Sequence, residues 1–280
     1  MLVNLNDVLK PAQKEHYGVG LFNAVNLELL NGIMDAAEAL RAPVIIGTAE
    51  ILLDAADLSE VAAMVKARAE KSDVPVVLHY DHGLTFEKCI EAMRLGFTSI
   101  MYDCSMASYE ENLQRVAEMV RIAHAFGVTV EGELGHVGDN EGTGKLERPS
   151  DYYTDPAVAR DFVERTGVDA LAIAVGNAHG DYKFPPKLDF ERITEIAESV
   201  DVPLVLHGGS GLSDEDFREA IRRGIAKVNI FTDISKAQVR GMQKGMDAGV
   251  NNAFDLTPYE VREIRDVVEE KMRLFSTKAL

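Results

Sequence analysis

Three histidines of this 280-residue chain stand at the ends of β-rich runs: His82 in HYDHG, His179 in GNAHG and His207 in LVLHGGSG. A lone histidine in such a place is most often an ordinary polar residue. Three at equivalent run ends instead suit a divalent transition metal, held by imidazoles with one position left open for substrate. Carboxylates crowd the same ends, at Asp81, Asp103, Glu131 and Glu133. The turn Gly208–Gly209–Ser210 offers bare backbone N–H groups that a phosphate can approach closely. In NIFTD, Asn229 and Thr232 can donate to oxygens while Asp233 starts a helix. A metal ligand touching a phosphate nest describes a site for a sugar phosphate. His16, His79 and His124 lie before the first run, inside a run and inside a helix, and carry no such context; His136 opens a long loop and stays ambiguous.

The elements that must position these groups follow from hydrophobic patterning. Strand-like runs begin at Val19, Pro43, Val74, Ser99, Val128, Ala170, Pro203 and Ala226. Amphipathic segments separate them: Leu27–Arg41, Leu58–Lys71, Phe86–Leu95, Tyr109–Phe126, Pro156–Thr166, Phe190–Ser199, Asp214–Arg223 and Ile234–Lys244. Another helix from about Asn4 to Lys14 precedes the series, and one from Pro258 to Phe275 closes it. Eight strands, each followed by a helix, predict an α/β fold, a single (β/α)8 TIM barrel with an N-terminal helix and an extra C-terminal helix. No glycine-rich dinucleotide fingerprint follows the first strand, and no composition shift marks a linker, so residues 1–280 read as one domain. In such a barrel the C-terminal strand ends carry the chemistry, and strands seven and eight recurrently hold phosphate. The connection His136–Thr154, glycine-rich and charged, is far longer than its neighbours and is expected to be a mobile active-site loop.

Composition narrows the partners. The formal charge of −17 is spread along the chain and repels nucleic acid and anionic membrane. An anionic substrate must therefore be held by local devices: a cation, helix N-termini and backbone amides. Two cysteines, Cys89 and Cys104, make no disulfide framework. No signal-peptide pattern and no membrane-length apolar run is present, so the expectation is a soluble, cytoplasmic protein.

Taken in order, HYDHG, ELG, GNAHG, LVLHGGSG and NIFTD resemble the class II, metal-dependent ketose-bisphosphate aldolases, the fructose- and tagatose-bisphosphate aldolase group, over nearly the whole chain. The resemblance implies a lyase that reversibly cleaves a ketose 1-phosphate or 1,6-bisphosphate to dihydroxyacetone phosphate and an aldehyde. It implies that His82, His179 and His207 ligate a catalytic Zn2+, and that Asp81 moves the proton at the aldehyde oxygen. Gly180, Gly208, Gly209, Ser210, Asn229, Ile230, Phe231 and Thr232 would hold the dihydroxyacetone-phosphate end. Asp103 and Glu133 match a second cation position, divalent or monovalent. The zinc would polarise the ketone and carry the charge of an enediolate. A second acid/base would protonate that enediolate from the loop after strand five, where Glu141 is the candidate and Glu147 the alternative. Family members are generally homodimers or homotetramers.

One departure stands out. Relatives acting on bisphosphates usually carry a proline-arginine-aromatic segment before the last helix, used for the second phosphate. Here that region reads NNAFDLTPYEVREIRD, with Arg262 and Arg265 as the nearest substitutes. Tyr80 also replaces the aliphatic residue common before the catalytic aspartate. The ketose 1-phosphate end is therefore expected to be retained, while the aldehyde half can be unphosphorylated or longer than a triose. Other classes compatible with the residues are a metal-dependent sugar-phosphate isomerase or epimerase and a non-catalytic sugar-phosphate-binding subunit.

Overall fold

Eight of the apolar runs pair side by side, all parallel, until the last meets the first. The computed structural model describes residues 1–135, 137–139, 153–179 and 187–279. In chain order the elements are β1 (Leu2–Val3), α1 (Leu5–Glu15), β2 (Val19–Asn23), α2 (Leu27–Leu40), β3 (Val44–Ala49), α3 (Leu58–Ala69), β4 (Val76–Gly83), α4 (Phe86–Leu95) and β5 (Ser99–Tyr102). They continue with α5 (Tyr109–Ala125), β6 (Thr129–Leu134), β7 (Gly138–Asp139), α6 (Pro156–Thr166), β8 (Ala170–Ile173), β9 (Ala178–His179) and α7 (Phe190–Ser199). The last are β10 (Leu204–Leu206), α8 (Asp214–Arg222), β11 (Ile225–Ile230), α9 (Thr232–Asp247) and α10 (Ala253–Leu274). The barrel runs β2-β3-β4-β5-β6-β8-β10-β11 and closes from β11 back to β2, the TIM architecture expected from the sequence.

Closure divides the apolar residues into two sets, because alternate side chains of a strand face opposite ways. One set, including Phe22, Ile46, Leu78, Tyr80, Val130 and Leu206, lies between the strands and the surrounding helices. The other, including Val19, Leu21, Ile45, Val77, Ala170, Ala172 and Val205, fills the barrel interior. Leu5, Val8, Leu9 and Ala12 of α1 join this interior set, so α1 stoppers one end of the barrel. Its start is fixed by a capping box between Asn4 and Asp7. Going toward the C-terminal strand ends, the interior turns polar: His79 and Asp81 on β4, Glu131 and Glu133 on β6, and Lys227 and Asn229 on β11 are all buried.

Three local features differ from the sequence expectation. β1 pairs with Val76 and Val77 because β5 begins only opposite His79, leaving that edge of β4, on the side away from β3, open. β7 and β9 form a small separate parallel ladder that brings Asp139 opposite His179. The last helix begins at Ala253 rather than Pro258, since the Asn252 side chain accepts from the Asp255 amide at 3.0 Å and caps it there. Most of the 136–154 connection, including Glu141 and Glu147, lies outside the described residues, as do His136 and Gly180.

α10 packs against α9 and α2, and glycines set how near it comes. A β-carbon on Gly241 of α9 would stand 2.6 Å from the Tyr259 carbonyl oxygen and from the Glu260 Cα. Those atoms are backbone and cannot move aside. Gly241→Val is therefore expected to cost about 1–3 kcal/mol, read as a lower urea midpoint at unchanged m-value. A wild-type midpoint would show that the two helices do not depend on this approach.

Candidate active site

At the C-terminal strand ends, Asp81, His82, Asp103, Glu131 and His207 are each held by a neighbour from another strand or the loop that follows it. β4 does not end regularly: its register with β5 shifts between Tyr80 and Gly83, and His82 takes a positive φ of 43°. A non-glycine residue in that region is uncommon, and here it turns the imidazole toward β10. His82 Nδ1 lies 2.8 Å from Asp103 Oδ2, and Asp103 Oδ1 in turn accepts from the Ser105 amide at 3.0 Å and its hydroxyl at 2.7 Å.

On the far side, His82 Nε2 faces His207 Nδ1 at 2.7 Å. His207 Nε2 is 2.8 Å from Glu131 Oε1, and Lys227 Nζ is 2.7 Å from the other oxygen of that carboxylate. Each imidazole thus has one nitrogen directed at a carboxylate and the other at its partner ring. Two imidazole lone pairs cannot face each other so closely without a proton or a cation between them. Glu133 completes the cluster, with Oε2 3.7 Å from His207 Nδ1 and no hydrogen-bond partner for that oxygen among the described residues.

A divalent cation fits this donor set: two converging imidazole nitrogens, each backed by a carboxylate, and a buried carboxylate oxygen left unsatisfied. Ligand atoms of Asp81, His82 and His207 lie within 4.8 Å of one another, as do those of His82, Asp103 and Glu133, so His82 belongs to both groupings. His179 lies on β9, just past β8. Asn177 ties that region to β10, donating to the His207 carbonyl at 3.0 Å and to the Ile173 carbonyl at 3.3 Å.

Asp81 is buried and carries an amide on each oxygen: Asn23 Nδ2 at 3.1 Å on Oδ2 and Asn229 Nδ2 at 2.9 Å on Oδ1. Gly47 makes room for Asn23, since a β-carbon there would stand 2.8 Å from Asn23 Oδ1. Burial alone would raise the pKa of Asp81, but positive charge at His82 and Lys227 outweighs it and holds the carboxyl well below the usual range. Burial and the nearby Asp103 charge push Glu133 up to about 8. His79 is driven down to about 3 by burial and by Lys227, and so is neutral; its Nδ1 meets the Ser99 hydroxyl at 2.8 Å.

The turn after β10 approaches the start of α9. Gly208 and Gly211 take positive φ values of 63° and 90°. Ser210 Oγ accepts from the Asp233 amide at 3.3 Å, and the Gly209 amide is engaged by the Asn229 carbonyl at 3.1 Å. Phe231, which caps α9, makes no side-chain capping bond, and the Ser210 hydroxyl takes the Asp233 amide of the first turn instead. The Asn229 amide nitrogen donates to Asp81. Ile230 is fully buried.

Sequence reasoning passed over Asn23, Ser105, Asn177 and Lys227, and left Glu131 without a role. For two of them a signal existed. Glu131 alternates with Glu133 on β6, and Lys227 alternates with Asn229 on β11, which places both on the inward face beside groups already singled out.

The family model described as fructose-bisphosphate aldolase class-II matches residues 3–279. A fructose-bisphosphate aldolase of Helicobacter pylori (strain ATCC 700392 / 26695) is 37% identical over 305 residues, covering 99% of both chains. The crystal structure of the YdjI aldolase from Escherichia coli K12 is similar with a TM-score of 0.90 at 36% identity, over 99% of this chain and 98% of that one. The fructose-bisphosphate aldolase of Campylobacter jejuni, 24% identical, shares the fold with a TM-score of 0.84 over 99% of this chain and 96% of its own. With the barrel closed, the imidazoles converged and the match running from one end to the other, the chain belongs to the class II fructose-bisphosphate aldolase family.

Proposed function

We propose that this chain is a metal-dependent lyase that reversibly splits a ketose 1-phosphate into dihydroxyacetone phosphate and an aldehyde. The observation that carries the reading is Asp81: a buried carboxylate, oriented by two amides, one residue from an imidazole that converges with His207. His82, His179 and His207 would hold the catalytic zinc, with Asp103 and Glu133 available to a second cation. When bound, the metal supplies the Lewis acidity that polarises the ketose carbonyl.

The chain's own residues supply the rest. Asp81, kept ionised by its cationic surroundings, takes the proton from the hydroxyl on the far side of the scissile C–C bond. That oxygen becomes the aldehyde oxygen, and the electron pair of the broken bond passes toward the ketose carbonyl. In the reverse direction Asp81 returns the proton. The two amides hold its oxygens in one orientation throughout, so the acceptor need not search for its geometry. Glu141 is the candidate for protonating the three-carbon fragment. The substrate phosphate is assigned to the Gly208–Ser210 turn, Thr232 and the N-terminus of α9, with Gly180 as a further contact.

The aldehyde half is proposed to be unphosphorylated or longer than a triose. The arginine that relatives use for a second phosphate has no counterpart in this region, and Arg265 is exposed on α10 and engaged with Glu269 at 2.7 Å.

Two experiments test these assignments. His207→Ala is expected to lose zinc and activity while keeping its far-ultraviolet circular dichroism; stoichiometric zinc in that variant refutes the ligand role. In condensation assays with dihydroxyacetone phosphate, chelator-sensitive product is expected from unphosphorylated aldehydes, with Asp81→Ala slower by roughly 10²–10⁴-fold. Product from glyceraldehyde 3-phosphate alone would overturn the aldehyde assignment. No product from any aldehyde would favour an isomerase or a binding protein.

A further inference from the structure

Beneath the two imidazoles lies a buried ion pair that the proposed chemistry does not use. Lys227 and Glu131 are both fully buried, with the ammonium 2.7 Å from Glu131 Oε2. Such pairs are poor stabilisers: apolar residues of similar volume usually serve as well or better. The neighbouring interior positions are indeed apolar, among them Val19, Leu21, Ala172 and Val205. A charge retained there has a use beyond holding the barrel together.

That use lies at the other oxygen of the same carboxylate. Glu131 Oε1 is 2.8 Å from His207 Nε2, and His207 Nδ1 is the atom facing His82. An ionised carboxylate can only accept, so His207 carries its hydrogen on Nε2 and presents a lone pair on Nδ1. Lys227 occupies Oε2 and fixes which oxygen is left for the imidazole. His79 does not substitute for it: His79 Nε2 stays 3.9 Å from Glu131 and 3.9 Å from Asp81, without a hydrogen-bond partner among the described residues. We infer that Lys227 is a positioning residue for metal capture, acting through Glu131 to fix the orientation and tautomer of His207. This rests on the reading of His207 as a metal ligand.

The test is zinc affinity, measured by chelator competition on wild type, Lys227→Met, Glu131→Gln, the double variant and His207→Ala. Alongside it, ¹⁵N imidazole shifts of His207 are recorded in the metal-free proteins. Each of the first two variants is expected to bind zinc about 10–100-fold more weakly. The double variant is expected to lose no more than either alone, because both act on one imidazole. The shifts are expected to move from a single Nε2-protonated form to a mixture. If Lys227→Met fails to fold, the double variant, which leaves no buried charge unpaired, carries the test. Wild-type zinc affinity in the double variant, additive losses, or an unmoved tautomer overturns the inference and leaves Lys227 a structural residue. Stoichiometric zinc in His207→Ala defeats the ligand reading instead, so the two failures are distinguishable.

Discussion

A closed barrel has one interior, and this chain places four carboxylates at or near its upper end. An ionised carboxylate taken out of water without a partner costs several kcal/mol, so the arrangement of the whole site follows from what each is paired with. Asp81 is met by Asn23 and Asn229, Asp103 by His82 and Ser105, and Glu131 by His207 and Lys227. The pairs link one to the next around the mouth, from β2 through β4, β5 and β6 to β10 and β11. Glu133 is the exception, with one oxygen left over, and that oxygen points into the space between the imidazoles and Asp103.

This pairing makes the two imidazoles asymmetric in a useful way. His82 is braced at Nδ1 and offers Nε2; His207 is braced at Nε2 and offers Nδ1. The rings stand nearly perpendicular, at 87°, with centroids 4.4 Å apart. Neither ring can rotate without breaking a hydrogen bond to a neighbouring carboxylate, so the nitrogen atoms are aimed in advance.

The barrel itself was legible in the chain because burial on both faces of a parallel sheet leaves near-continuous apolar runs such as PVIIGT and ALAIAV, each followed by an amphipathic helix. The positions of His82, His207, Asp81, Asp103 and Glu133 could be read from the ends of those runs, while a cation role for Asp103 and Glu133 came only from the family resemblance. The supporting residues were harder. Asn23 matters only because β2, though separated from β4 by β3, sends its side chain over Gly47 to Asp81. Lys227 sits within an apolar strand and gains meaning only from the position of Glu131 across the barrel. Such roles depend on which strands face each other through the interior, and that relation is a property of the closed fold rather than of any local stretch. Asn229 shows the converse: its inward position was evident, but its partner was decided by Asp81, which needs donors more than the turn does.

The stopper formed by α1 turns the barrel into a blind well. With Leu5, Val8 and Leu9 packed into the floor, nothing enters or leaves from below. Asp81 faces the open side, from which the connections that follow the strands depart. Under the proposed reaction, the far half of a substrate would thus lie apart from the residues that carry out the chemistry. Under that reading, a new partner aldehyde would be acquired by altering surface connections, while the residues inside the well stay as they are.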